Sequence, residues 1–131
     1  MASDHFSCSI GKDSVSKVEA GLDSSDIHGA DIRFHGVVRK TEDDREISAI
    51  RYTFYQDMAL QELEKIGADM TIAFPDHRAM VYHRVGEVTV GEASILIRVQ
   101  TKHSAAAFEI CREYLRRIKE TVPIWKKPVF V

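Results

Sequence analysis

Apolar residues recur along the chain with two different spacings, and the changes of spacing mark out its elements. Phe6–Ile10 reads as a short strand and Ser14–Ala20 as a short helix in a polar stretch. Ile32, Phe34 and Gly36–Val38 form a strand of mixed patterning that ends at Arg39. Ile47–Tyr55, rich in β-branched and aromatic residues, is a second strand, and the wholly polar Lys40–Glu46 between them is a loop or hairpin connection. From Met58 the spacing becomes helical: Met58, Leu63, Ile66 and Met70 make one stripe, with Asp57 placed to cap it. Met80–Arg84 and Ile95–Val99 return to strand character, punctuated by Gly86 and Gly91. Ser104 is positioned as the N-cap of a long helix. Its Phe108, Cys111, Leu115, Ile118 and Val122 repeat at three and four residues, which predicts a buried face. Pro123 ends it, and Ile124–Val131 is an extended tail.

The predicted order, β-α-β-β-α-β-β-α-β, joins adjacent strands without intervening helices. That implies an antiparallel or mixed sheet with helices packed on it, an α+β fold. At 131 residues the expectation is a single domain over 1–131, able to bury a core without disulfides or a structural metal. No run approaches the roughly 18 apolar residues a membrane span needs. The first ten residues carry acidic Asp4 and no basic start before an apolar block, so no secretory signal is expected. Cys8 and Cys111 are too few for a disulfide framework and match no zinc spacing, and the expected compartment is a reducing cytoplasm.

Charge changes the picture more than composition does. The formal net charge is -2, yet residues 98–131 hold 8 Lys/Arg against 3 Asp/Glu. A basic end on an acidic body points to a local anion site, or to a solvated helix with its cations near the C-terminus, rather than to a nucleic-acid surface. Phosphate-loop, dinucleotide, nucleophile-elbow and zinc-protease signatures are all absent. Cys111 falls on the apolar helix face, and the histidines make no metal-ligating spacing, so neither a thiol nucleophile nor a metal is expected. The remaining chemistry is cationic: Arg39 at a strand end, His103 directly before the long helix, Lys119 in its last turn, and Lys126 and Lys127 beyond Pro123 and Trp125.

Several short motifs then fall in one order. They are Phe34-His-Gly-Val-Val-Arg39, Tyr52-x-x-Tyr55-x-x-Met58-Ala59, His83-Arg-Val-Gly-Glu87, Thr101-Lys-His103, Ala107-Phe108-Glu109, Lys119, and Pro123-Ile-Trp-Lys-Lys127. Over residues 29–127 the chain resembles the large, catalytic subunits of molybdopterin synthase. The resemblance implies an α+β fold of the α/β-hammerhead type and a homodimer. It also implies a small ubiquitin-like sulfur-carrier subunit as partner, bound at each end to give a heterotetramer. The carrier's C-terminal thiocarboxylate would enter a pocket, and two such carriers, giving one sulfur atom each, would convert cyclic pyranopterin monophosphate to the dithiolene of molybdopterin. No resident cofactor, nucleic acid or membrane is implied.

Carried over by position, Lys119 is the first catalytic residue, as general acid/base or as holder of the carrier's terminal carboxyl group, and Lys126 the second, stabilising developing negative charge. Arg39, with the backbone at Val38, and His103 are implied phosphate and pterin contacts, with His103 supplied by the other protomer. Lys127 belongs to the same substrate-binding motif, and Phe34 is either a lining of the carrier channel or simple core. Two departures stand out. The family has Arg after the position of His103, where this chain has Ser104, and loss of such a donor costs on the order of 1–3 kcal/mol of binding. After Lys127 the family continues with an acidic residue and a Trp-containing tail, where this chain has Pro128, so part of the wall over the substrate is expected to be missing. These departures motivate the alternative of a non-catalytic paralogue that binds the carrier as an assembly module.

Overall fold

The computed structural model describes residues 5–131; positions 1–4, part of the stretch on which the absence of a leader was read, lie outside the described residues. The elements are β1 (Phe6–Gly11), α1 (Val15–Ala20), β2 (Ala30–Val37), β3 (Thr41–Glu42), β4 (Arg45–Thr53), α2 (Gln56–Ala73), β5 (Arg78–Arg84), β6 (Gly86–Thr89), β7 (Ala93–Thr101), α3 (Ser104–Thr121) and β8 (Trp125–Phe130). The first sheet has the order β1-β5-β7-β2, with β1 and β5 parallel and the other pairs antiparallel. In the second, antiparallel sheet β4 pairs with β3, β6 and β8. The fold is the expected mixed-sheet α+β class.

The first sheet buries one face under α2 and α3 and part of the other under α1, because side chains alternate along its strands. Val81, Ile97 and Val99 point to the side covered by α2 and α3, where Phe6, Leu63, Met70, Ile110 and Tyr114 complete the main core. Tyr82 and Leu96 point the other way, under Val15 of α1. Each fully buried aliphatic side chain contributes roughly 1.5–3 kcal/mol. A smaller core of Val38, Ile47, Ile50, Tyr52 and Val88 lies within the second sheet, and Phe54 and Ile124 pack against both cores, locking the two sheets together.

Two local expectations are made specific and two are corrected. The polar stretch after Arg39 is a hairpin: β3 meets β4 across Asp43 and Asp44, whose φ angles of 51° and 59° are those of a tight two-residue turn. The extended tail is a strand, β8, because β4 leaves an edge that Trp125–Phe130 fills. His103, not Ser104, occupies the N-cap of α3, and Tyr55 rather than Asp57 that of α2; neither side chain makes a capping bond. Phe108 is 67% exposed and Met58 52%, because the face of α3 against the sheet is set by Ala107, Ile110, Cys111, Tyr114 and Ile118, and that of α2 by Ala59, Leu63, Ile66 and Met70.

Candidate functional site

Strand register and helix rise decide where the predicted cations go. β7 ends beside the start of β2, with Thr101 opposite Ala30, and Gly29 fits directly against the Lys102 carbonyl. His103 therefore sits at that end of the first sheet. Arg39 leaves the far end of β2, where Val37 pairs with Ala93, about 30 Å away at a strand rise of roughly 3.3 Å per residue. After the two-residue turn Lys102–His103, α3 packs back along β7 and β2, so its last turn returns toward the Arg39 end. Sixteen helical residues separate His103 from Lys119, about 24 Å at 1.5 Å each. Lys119 and Lys126 flank the short turn at Val122–Ile124, whose apolar side chains pack inward.

One chain thus gathers Arg39, Lys119 and Lys126 toward one end and holds His103 at the other. Arg39, His103, Lys119, Lys126 and Lys127 are exposed, and among the described residues none of their side chains makes a hydrogen bond or ion pair. Val38 is buried, its N–H donating to the Glu92 carbonyl and its own carbonyl accepting from Gly91, which pins the strand end that presents Arg39. Lys126 pairs with Tyr52 and Lys127 with Arg51, so the two lysines lie on opposite faces of β8. Lys127 shares its face with the Arg51–Glu87 ion pair and is not brought to Lys126. Phe34 is half-buried against the main core.

The basic C-terminal third is not one patch. Arg116 and Arg117 are satisfied by Glu113, and Arg116 also by Glu120; the two guanidinium groups push the Glu113 carboxyl down to about 2. Arg98 is buried against Asp31. What remains unpaired at the α3 C-terminal end is Lys119 with Lys126 and Lys127. The thiols are unsuited to attack: burial, with a bond to Glu64, pushes Cys8 up to about 12, and burial raises Cys111.

At the other end His103 lines a hollow of about 330 Å³ with Phe74, Thr101, Ala106 and Ile110. Thr101 Oγ1 donates to the His103 carbonyl at 2.6 Å, holding the cap residue extended while the first N–H groups of α3 face outward with no side-chain acceptor. Sequence reasoning missed the exposed aromatic pair beside Lys126: Tyr55 and Trp125 meet edge to face at 5.3 Å, both half-exposed or more. Their only signal in the sequence was a strand end and a helix start adjoining the lysine motif.

The family model described as MoaE protein matches residues 10–121. The chain belongs to the MoaE family. A molybdopterin synthase catalytic subunit from Pyrococcus abyssi is 38% identical over 108 residues, covering 82% of this chain and 73% of the relative. The crystal structure of molybdopterin synthase from Staphylococcus aureus is similar with a TM-score of 0.85 and 27% identity, over 93% of this chain and 90% of that one. A complex of subunits 1 and 2 of molybdopterin-converting factor from Helicobacter pylori has a chain of the same fold, with a TM-score of 0.71 and 22% identity over 96% and 89%. Membership places the chain among enzymes of molybdenum cofactor biosynthesis, the catalytic subunits of molybdopterin synthase. Among the described residues no helix is long and apolar enough to cross a membrane.

Proposed function

We propose that the chain transfers sulfur from the C-terminal thiocarboxylate of a small ubiquitin-like carrier to cyclic pyranopterin monophosphate, in a site completed by a second copy of itself. The observation that carries this reading is the opposed placement of His103 and Lys119 on α3, about 24 Å apart by helix rise, while both belong to the motif set of one family. A pocket using both has to draw His103 from one protomer and Arg39, Lys119 and Lys126 from its partner. The exposed Tyr55–Trp125 pair and the unpaired lysines then receive the burial that acid–base chemistry needs from the partner chains.

In this mechanism Arg39 and the Val38 strand end hold the phosphate, and His103 with the open N-terminus of α3 adds the second anion contact. Lys119 moves the proton at the pterin carbon under attack by the carrier's sulfur; water then cleaves the acyl–sulfur bond, leaving the sulfur on the pterin, and Lys126 stabilises the carboxylate released on the carrier. The sulfur nucleophile arrives on the carrier, consistent with the protonated state of Cys8 and Cys111. The chain works in the cytoplasm with no resident cofactor, as a homodimer carrying two carrier subunits.

The test is reconstitution with thiocarboxylated carrier and cyclic pyranopterin monophosphate, with molybdopterin as the readout. Wild-type protein gives product, and Lys119→Ala loses 100-fold or more, the order of a lost acid–base group. Carrier binding with no product from wild-type protein would establish the assembly-module reading instead. Ser104→Arg should tighten precursor binding by about tenfold, the size of a regained charged hydrogen bond.

A further inference from the structure

A second cleft, lined by Arg98, Gln100 and Lys102 among others, lies apart from Lys119. It has a volume of about 730 Å³, ample for a ligand of mononucleotide size. Its floor is the face of the first sheet turned away from α2 and α3, where cross-strand register builds two polar rows. Asp31, Gln100 and Arg78 form one row across β2, β7 and β5, and Arg33, Arg98 and Met80 the next. The segment around Gly21–His28 and the turn at Pro75–His77 form the walls.

Polar side chains are expensive on a buried sheet floor unless they are satisfied. Arg98, 4% exposed, is largely satisfied: Nε and Nη2 bond Asp31, and Nη2 reaches the Asp23 carbonyl at 2.7 Å, tying the wall segment to the sheet. Its Nη1 carries no hydrogen bond. Gln100 differs. It is 3% exposed, lines the cleft, and its side-chain amide has no hydrogen-bond partner among the described residues. Beside it stand two exposed cations, Arg78 and Lys102, with no ion pair among the described residues, and the acidic side chains of the lining are Asp23 and Asp76. An amide offers a donor and an acceptor in one plane, and Arg78 with Lys102 offers charge for an oxyanion.

We propose that this cleft is a second ligand site, taking a phosphate monoester of mononucleotide size whose ring presents a donor–acceptor edge to Gln100 and whose phosphate meets Arg78 and Lys102. The proposal does not rest on the sulfur-transfer reading: the cleft is lined by none of Arg39, His103, Lys119 and Lys126, although Lys102 adjoins His103.

The full chain is titrated by calorimetry and by amide NMR with AMP, GMP, guanosine and inorganic phosphate. AMP or GMP should bind saturably and shift the Gln100 side-chain amide, with each half-ligand at least tenfold weaker. Gln100→Leu and Arg78→Glu should each weaken nucleotide binding about tenfold or more, while Lys119→Ala leaves it unchanged. Should Gln100→Leu not fold, Arg78→Glu, at an exposed position, carries the test. The proposal is overturned by no saturable binding up to about 10 mM, by equal affinity in both variants, or by dependence on Lys119. Inorganic phosphate binding as tightly as a nucleotide overturns it too. So does a Gln100 amide signal that moves with protein concentration alone, which would mean that a second copy covers the cleft.

Discussion

His83 shows how one buried side chain ties the two sheets to pH. Its ring stands edge-on between Tyr52 at 5.0 Å and Phe54 at 4.9 Å, and Nδ1 donates to the Arg84 carbonyl at 2.8 Å. Burial pushes its pKa down to about 4, against about 6.5 in the unfolded chain. Between those values the unfolded state binds the extra proton, so stability is complete above pH 6.5 and declines as pH falls toward 4. The difference of about 2.5 units corresponds to roughly 3 kcal/mol at the acid end. Urea midpoints measured from pH 7.5 to 4 should fall, and His83→Phe should flatten part of that slope. His77 is a second such clamp: its Nδ1–H donates to the Phe74 carbonyl and its Nε2 accepts from Tyr114 at 2.6 Å, joining the β5 turn to α3. Tyr114→Phe leaves that nitrogen buried without a donor and should cost about 1–3 kcal/mol in chemical denaturation.

At the scale of elements, α2 and β1 meet at a contact that only glycine permits. A Cβ at Gly67 would overlap the Phe6 ring, which stacks on Tyr114 at 5.8 Å. In open helix Gly→Ala is stabilising; here overpacking wins, and Gly67→Ala should lower stability by about 1–3 kcal/mol, read as a fall in Tm. The long helix α3 carries candidate site residues at both ends and core residues in its middle. Its inward face is small near the N-terminus (Ala107) and large toward the C-terminus (Tyr114, Ile118), so Phe108, although correctly spaced from Cys111, points outward. Periodicity gave the helix and its length but misjudged the centre of its buried stripe by about one residue.

The whole molecule cannot close its proposed site alone, because one straight helix holds His103 away from Lys119. This yields a prediction that no single-chain pocket would make. In a homodimer with two identical cross-chain sites, mixing Lys119→Ala with His103→Ala lets hybrid dimers form with one intact site and one doubly defective site. Random mixing should restore about a quarter of wild-type activity although each parent is inactive. Failure of the mixture to recover, with subunit exchange verified by mass, would place the two residues in one chain's site and contradict the geometry.

How much was legible follows from the range of each interaction. The chain's spacing of apolar residues determined the three helices and the longer strands, since periodicity against a core is a local property. The ordered motifs likewise determined the family. The hairpin at Asp43–Asp44 was left open because its two-residue β3 is too short to leave a pattern. The partner of the extended tail was not legible, because β8 pairs only where β4 offers an edge. Tertiary structure alone separated Lys126 from Lys127 across a strand, paired off Arg98, Arg116 and Arg117, and left Gln100 unpartnered in a polar cleft. Charge and hydrogen bonding between distant positions are settled by register and by helix length, and neither is written in any local stretch of residues.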